Sequence, residues 1–314
     1  MRSASKLGFA LGLACLVVAQ VQAQAAPAFD GARISEITGL QGKWNPQGDV
    51  FKVTLPRTDV SVTVDGHALS PFQGLTTWAG FTTGKGKDLM VMGDLVLFPD
   101  EVNPVMSALF DNGLDVTALH NHFFYDEPKV FFMHVSGEGT VDALAKGVRA
   151  AMDQVHGIRA RRSAPATSFG NDSLPAANSV SAAPIEALLG KGESKDGMVK
   201  VTVGLTAKMS CGCNAGKDLG VNTWAAFAGS DSSAAVDGDF AVHENELQPV
   251  LRSLRGSGIN IVAIHSHMTG EVPRTLFLHY WGRGPAVELA QAIKKALDVQ
   301  TQNQKPKQPK KKEK

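Results

Sequence analysis

Hydrophobic and polar residues alternate in short runs along much of the chain, which is the pattern of half-buried strands. In the first half, this alternation predicts strands at residues 50–55, 60–64, 78–82, 89–97, 116–122 and 129–135. Apolar residues spaced by three or four positions predict a short helix from about Asp100 to Gly113 and a closing helix from Val141 to about Val155. Strands in succession, with helices in the second part, are typical of an antiparallel sheet covered by helices on one face.

The same pattern occurs a second time, 145 positions later. Residues 114–122 match residues 259–267, and the offset also pairs Gly93-Asp94 with Gly238-Asp239, Glu101 with Glu246, Pro128 with Pro273, and His134 with His279. Self-similarity at a fixed offset indicates copies of one structural unit. The sequence therefore predicts an α+β protein of two similar units, each an antiparallel sheet with helices on one face.

Composition divides the chain around these units. Residues 1–25 combine the basic Arg2 and Lys6 with an apolar run and then small residues, which predicts a cleaved signal peptide and a periplasmic or secreted protein. Cys15 lies inside the apolar run, a poor context for a lipid anchor. The first repeat unit is placed at 30–157 and the second at 185–299, with an Ala-, Ser- and Pro-rich linker at 158–184.

Residues 300–314 are rich in lysine and are predicted to be a disordered tail, interpreted either as a solvated end or as a weak tether to anionic surfaces. The formal net charge of the whole chain is +1, so the part between the basic segments at its two ends is acidic. An acidic body argues against nucleic acid as a partner. No stretch after the leader approaches the roughly 20 apolar residues of a transmembrane helix.

Six of the nine histidines form a His-x-His…His pattern, once in each unit. They are His120, His122 and His134 in the first unit and His265, His267 and His279 in the second. Because residues i and i+2 of a strand share a face, His120 and His122 are expected to lie beside Val116 and Ala118. If the following strand pairs as a simple hairpin, His134 lies opposite His120, with Cβ atoms about 5 Å apart.

Three neighbouring imidazoles on an apolar face could be core side chains bonded to the backbone, but each unpaired one would cost about 1–3 kcal/mol. A divalent metal bound to three neutral imidazoles removes this cost. Three histidines with an open position form a known catalytic zinc arrangement, and imidazole also suits copper, nickel and iron. All six histidines are therefore predicted metal ligands, with zinc as the first choice of metal.

Acidic residues near the histidines extend the predicted site. Glu271 follows His267 by four residues and is the candidate catalytic general base. Asp126 is its match in the first unit, and either carboxylate could instead bind the metal or cap the turn. Asp94 and Asp239 are candidate hydrogen-bond partners of ligating imidazoles, with an ordinary turn role as the alternative.

Other chemically notable residues carry weaker hypotheses. Beyond the leader, Cys211 and Cys213 are the only cysteines, and they are interpreted either as free or loosely paired thiols or as a redox or metal pair. His67 falls near their register in the repeat, so its loop could overhang a site. Trp78 and Trp224 are expected in the core.

Two longer runs surround the histidines. They are His120-Asn121-His122 with Glu127-Pro128 and Phe132-Met133-His134, and His265-Ser266-His267-Met268-Thr269-Gly270-Glu271-Val272-Pro273-Arg274 with Phe277-Leu278-His279. In these runs the chain resembles the LppY/LpqO family, a duplicated domain of unknown function in exported bacterial proteins. The resemblance covers nearly the whole chain after the leader and implies export and a duplicated architecture, but no established reaction. The first unit departs from it at 123–126, where Phe-Phe-Tyr-Asp replaces Met-Thr-Gly-Glu.

Two functions fit these observations. The first is an exported divalent-metal-binding protein that acts as a metal-dependent hydrolase of the cell envelope. The second is a non-catalytic protein that binds a cell-wall or carbohydrate ligand. In either case, the sequence leaves the small-molecule or envelope ligand unidentified.

Overall fold

A computed structural model describes residues 29–45, 49–85, 88–170 and 172–304. The predicted signal peptide and the tail from residue 305 onward lie outside the described residues. None of the helices in the described ranges is long and apolar enough to cross a membrane.

Seventeen strands and six α-helices make up the described chain. The strands are β1 (Gln41–Asn45), β2 (Val50–Pro56), β3 (Thr63–Val64), β4 (His67–Ala68), β5 (Thr76–Thr83), β6 (Leu89–Leu97), β7 (Asp115–His120), β8 (Asp126–Glu127), β9 (Phe131–Gly139), β10 (Gly192–Lys195), β11 (Met198–Gly204), β12 (Ala207–Lys208), β13 (Asn214–Ala215), β14 (Asn222–Gly229), β15 (Ala234–His243), β16 (Asn260–His265) and β17 (Thr275–Gly284). The helices are α1 (Gly31–Thr38), α2 (Pro99–Asp111), α3 (Val141–Arg161), α4 (Ala182–Leu189), α5 (Leu247–Gly256) and α6 (Ala286–Gln304).

Twelve of the strands form one antiparallel sheet in the order β1-β2-β5-β6-β9-β7-β16-β17-β15-β14-β11-β10. The second half of this order repeats the first half in reverse, so the two repeats are related by a local twofold axis. The repeats join at the centre, where Leu119 of β7 pairs with Ile264 of β16. These two residues are themselves matched by the 145-residue offset, so the axis passes through their pair. The predicted α+β fold of two similar units is confirmed, and the two sheets are continuous.

The helices cover one face of this sheet. Apolar residues of α2, α3, α5 and α6 form one hydrophobic cluster with the strands of both repeats. A smaller cluster, which includes Val62, Phe98 and Phe132, lies under the loops of the first repeat. Because Phe132 alternates with the core residues Met133 and Phe131 along β9, this small cluster lies on the opposite face, here called the open face.

Several local elements differ from the expectations. Only Thr63 and Val64 of the predicted strand 60–64 are extended in a ladder, and they join a separate three-stranded sheet, β4-β3-β8. The helix that closes the first repeat continues to Arg161. Helices α1 and α4 were not predicted; both are short, and each lies just before the edge hairpin of its repeat. Residues 162–181 between α3 and α4 are here called the connecting segment.

Two side-chain amides tie each repeat to the central strand of the other. Asn103 of α2 accepts a hydrogen bond from the Ile261 N–H at 2.8 Å and donates one to its carbonyl at 3.1 Å. Gln248 makes the same pair of bonds with Val116 at 3.2 and 2.8 Å. The offset matches Asn103 with Gln248 and Val116 with Ile261, so these bonds reinforce the central β7–β16 joint twice.

Candidate metal centre

Four neighbouring segments position the polar residues of the second repeat on the open face. Asp239 on β15 pairs with His279 on β17, and His279 pairs in turn with Ala263 on β16. His265 ends β16, and His267 follows it in the loop. We call Asp239, His265, His267 and His279 the second-repeat cluster. Asp94, His120, His122 and His134 are their matches by the offset and form the first-repeat cluster.

The expected register of the histidine strands was wrong by two residues. His134 lies opposite Ala118, and His120 lies opposite Phe132. The chain between them is not a simple hairpin turn, because Asp126 and Glu127 leave it to pair with β3. His120 and His134 are therefore diagonal neighbours, and their rings still approach to 5.1 Å between centroids.

The expected common face of Val116, Ala118 and His120 was also wrong for Val116. A β-bulge between Val116 and Ala118 shifts the register against β9. Such an extra residue reverses the alternation on one side of the bulge. Val116 therefore packs in the main core with Leu119, whereas Ala118 and His120 lie on the open face.

Three residues of the second-repeat cluster bring potential metal ligands together. The ligand atoms of Asp239, His265 and His267 all lie within 4.8 Å of one another. His265 Nε2 is 3.1 Å from His267 Nε2, and His267 Nε2 is 3.3 Å from Asp239 Oδ2. Ligands about 2.0–2.1 Å from a tetrahedral zinc ion are roughly 3.3 Å apart, so the two separations match edges of such a site.

Hydrogen bonding alone leaves this cluster incompletely satisfied. One N–H on His267 Nε2 cannot serve both His265 and Asp239, although both lie within reach of that nitrogen. Among the described residues, Asp239 Oδ1 and His265 Nδ1 are also buried without a hydrogen-bond partner. A cation between these groups would satisfy the two facing nitrogens and the carboxylate together.

His279 contacts the cluster through its ring and does not contribute a converging ligand atom. Its ring stacks on that of His265 with 4.7 Å between centroids and is not one of the three converging ligand groups. Burial is the main cause that lowers the pKa of His265 below its ordinary value, and the neighbouring His279 and His267 lower it further. A lowered pKa keeps the His265 ring neutral, as a metal ligand must be.

The ligand atoms of the first-repeat cluster do not converge in the same way. The His120 and His122 rings stack with 5.2 Å between centroids, and no group of three converging ligand atoms forms in this repeat among the described residues. Burial lowers the pKa of His122, and the nearby His120 adds to the effect. Asp94 pairs with His134 across the sheet, and its Oδ1 is buried without a partner.

A phenylalanine positions the second histidine of each cluster. The His122 ring is stacked on Phe132 at 3.3 Å between centroids, and the His267 ring is stacked on Phe277 at 3.5 Å. Phe132 and Phe277 are themselves buried. Each therefore gives a fixed stacking surface to a histidine, His122 or His267, that lies in the loop beyond the end of its strand. Because β9 and β17 are three strands apart in the sheet, the clusters lie side by side as two separate sites.

The candidate base Glu271 lies in the loop after His267, and its carboxylate is bound to the backbone. Its Oε1 accepts a hydrogen bond from the Thr275 N–H at 2.9 Å, which is the main cause that lowers the pKa of Glu271. Asp126 does the same in the first repeat, where it accepts from the Val130 N–H at 2.7 Å. Both hydrogen bonds fit the alternative in which the carboxylate caps the turn. A catalytic role for Glu271 stays a prediction.

A small hairpin in each repeat packs against the loop that carries the histidines. In the second repeat, β12 and β13 form this hairpin, and Lys208 exchanges backbone hydrogen bonds with Val272. Cys211 and Cys213 are joined by a disulfide at its tip, so they are not free thiols. In the first repeat, the hairpin of β3 and β4 pairs with β8 and carries the exposed His67.

The sequence assigned Asp239 only a supporting role, yet its carboxylate lies among the potential ligand atoms. The signal was present in the repeat, since Gly238-Asp239 and Gly93-Asp94 share the offset of the histidines. The expected core position of Trp78 and Trp224 was wrong: both are half-buried on the open face, where the Lys52 and Lys200 ammonium groups lie over their rings.

Comparison with known proteins gives one family. The model DUF1529, described as Domain of Unknown Function (DUF1259), matches residues 32–154 and again residues 183–299. No curated protein matches the chain. Among solved structures, the trimeric bacterial microcompartment shell protein PduB aligns with 83% of this chain and 90% of its own, with 12% sequence identity and a TM-score of 0.19.

Proposed function

The chain belongs to the family described as a domain of unknown function (DUF1259), and we propose that it binds a divalent metal ion, zinc first, through Asp239, His265 and His267. Copper, nickel and iron are the alternatives that imidazole ligands also suit. The single observation that carries this proposal is the convergence of three potential ligand atoms within 4.8 Å of one another.

The surroundings of the cluster support a site that both holds an ion and admits a ligand. The Asp239 side chain is only 5% exposed, whereas that of His267 is 35% exposed. A metal at this position would be held by buried groups on one side and would face solvent on the other. Three protein ligands with one open side are typical of catalytic rather than structural zinc sites.

The reaction and the location in the cell belong to the same proposal. The leader-like residues 1–25 and the resemblance to the LppY/LpqO family support an exported protein of the periplasm or the extracellular space. An open metal site there is compatible with a metal-dependent hydrolase of the cell envelope. Glu271 follows His267 by four residues and is the candidate base, although its hydrogen bond to Thr275 favours a capping role.

A non-catalytic binding protein is the second candidate, and a specific observation favours it. Phe124 and Tyr125 are 84% and 82% exposed in the loop after His122. Exposed aromatic rings beside a polar cluster are suited to stacking against a sugar ring or another flat ligand. The lysine-rich tail would add a weak attraction to an anionic envelope surface.

Metal analysis of the mature protein, purified without chelator, tests the metal proposal. Each chain is expected to carry up to two ions, with the tighter one in the second repeat. His267→Ala should weaken the tighter site by more than about tenfold, the least that loss of even an outer-shell partner commonly costs. The matched first-repeat variant His122→Ala should leave the tighter site unchanged.

Competition with a chromophoric chelator measures both affinities for zinc, copper, nickel and iron. Absence of bound metal combined with no uptake of any of the four would refute the proposal. Equal losses in the tighter site for His267→Ala and His122→Ala would also refute the placement of that site in the second repeat.

A further inference from the structure

A cavity of about 710 Å³ lies where the first repeat, the connecting segment and the second repeat meet. Asn103 of α2 and Lys129 before β9 line it from the first repeat, and Arg255 and Asn260 line it from the second. Residues 162 and 165–169 of the connecting segment form the remaining wall. Its volume falls within the roughly 300–1,000 Å³ of small-molecule sites.

Arg255 is the charged group that distinguishes this cavity. Its guanidinium donates to Ser107 Oγ at 3.2 Å, the Ile259 carbonyl at 2.7 Å and Asn260 Oδ1 at 3.1 Å. All three acceptors are neutral, and Arg255 has no carboxylate partner among the described residues. Burial lowers its pKa to about 10, so the group remains a cation at neutral pH.

The other charges around the cavity leave a positive excess. Arg162 forms no ion pair with any described residue, while the Lys129 ammonium lies 3.2 Å from Asp126. Asp100 is the acidic residue of the lining; its Oδ2 is engaged by Arg159 and by the Ala166 N–H, and its charge is therefore already balanced by an arginine, while its Oδ1 is buried without a hydrogen-bond partner. Two cations, Arg255 and Arg162, therefore face the cavity without an opposing anion.

The rest of the wall is largely apolar and stiff. Four prolines contribute to it, together with the ring of Phe169: Pro99, Pro104, Pro128 and Pro165. A half-buried cation without a counter-ion is costly, and an anion placed against it recovers part of that cost. From these features we propose that the cavity binds a small organic anion with an apolar body, whose acidic group contacts Arg255. This site is separate from the metal cluster and does not depend on it.

The naphthalene dye 8-anilinonaphthalene-1-sulfonate is a suitable probe, because it combines a sulfonate with an aromatic body. Its analogue N-phenyl-1-naphthylamine has the same rings without the charge. The full-length mature protein is expected to bind one equivalent of the anionic dye, measured by fluorescence titration. Arg255→Met should weaken binding of the anionic dye by about tenfold or more, while the neutral dye should be affected less than threefold.

Three further variants make the test specific. Ala166→Trp places bulk in the cavity from the connecting segment and should abolish saturable binding of both dyes, even if Arg255→Met proves unstable. Arg255→Lys should retain most of the affinity. Arg252→Met, on the same helix but bound to Asp115 and to backbone carbonyls, should leave both affinities unchanged. Anionic dye binding that persists in Ala166→Trp, or that does not respond to Arg255→Met, would overturn the proposal, as would no saturable binding by the wild type.

Discussion

Glu271 and Asp126 show how one carboxylate can be read in two ways from sequence. Both lie a few residues after a histidine pair, where a general base or a metal ligand would be placed. In the structure, each accepts a hydrogen bond from the backbone N–H four residues further on. Such a bond favours the ionised carboxylate and organises the loop before the next strand. The sequence could identify these residues as important and could not decide between the two roles, because the loop path was unknown.

Replacement of Glu271 tests the capping role. Glu271→Gln keeps an acceptor for the Thr275 N–H and is expected to retain bound metal, whereas Glu271→Ala should destabilise the fold by about 1–3 kcal/mol. Because the folded-state pKa of Glu271 is lowered, its ionised form stabilises the protein above the ordinary glutamate pKa of 4.5, and this contribution is lost as the pH falls through the lowered value.

Urea unfolding at a series of pH values, with metal content measured on the same samples, checks both parts. The stability difference between wild type and Glu271→Gln should shrink below pH 4.5. Loss of metal in Glu271→Gln would contradict a purely capping role and would favour Glu271 as a ligand.

At the scale of single elements, the first turn of α2 contains a fully buried carboxylate. Glu101 is fully buried and caps the helix by accepting from the Phe98 N–H at 2.9 Å. Arg57 binds the same carboxylate with two hydrogen bonds of 2.8 and 2.9 Å. The sequence placed Glu101 at the start of a predicted helix and gave it no partner. Its partner Arg57 lies 44 positions earlier, so no local pattern could reveal the pair.

Arg57→Met is therefore expected to destabilise the protein by about 3–5 kcal/mol, because it removes one of the two arginines, Arg57 and Arg159, that pair with the buried Glu101 carboxylate. Arg33→Met is the matched control, since the Arg33–Asp142 pair is roughly half exposed and screened by solvent, so its loss should destabilise the protein far less. Chemical denaturation of both variants measures the difference. Similar losses in the two variants would contradict the importance given to burial.

Strands were easier to predict than the way they pair. The alternation of apolar residues located β2, β5, β6, β7 and β9 within a few residues of their observed bounds. It failed at Val116, where the bulge reverses the face, and at the pairing of His120, where the loop is not a simple turn. Both features depend on contacts with other strands. The histidine rings still lie near one another, because diagonal neighbours in a sheet remain within reach of long side chains, but the ligand atoms that converge are those of His265, His267 and Asp239.

On the scale of the whole molecule, the repeat explains why the sheet is continuous. Each unit alone would leave β7 or β16 as an unpaired edge strand, which is prone to pair with another chain. Pairing of Leu119 with Ile264 covers both edges at once, and the Asn103 and Gln248 amides reinforce the joint. The offset predicted two similar units. It could not predict which edges would meet, since that choice depends on surfaces formed only after folding.

The same symmetry fixes the separation of the two clusters. His122 lies over Phe132 on β9 and His267 lies over Phe277 on β17, three strand spacings away. At about 4.8 Å per spacing, two bound ions would be roughly 15 Å apart. Protein loaded with two equivalents of Cu(II) should show the matching dipolar coupling in electron paramagnetic resonance, and His122→Ala should remove it. A coupling typical of ions about 4 Å apart would instead indicate one binuclear centre.

Anomalous X-ray diffraction from crystals grown with zinc, recorded on both sides of the zinc absorption edge, tests most directly whether the second repeat holds a metal. A peak is expected about 2.0–2.1 Å from the Nε2 atoms of His265 and His267, with Asp239 Oδ2 completing the three protein ligands. The peak should disappear in His267→Ala and persist in His122→Ala. A map from zinc-saturated crystals with no peak within about 3 Å of these three ligand atoms would contradict the proposed metal site.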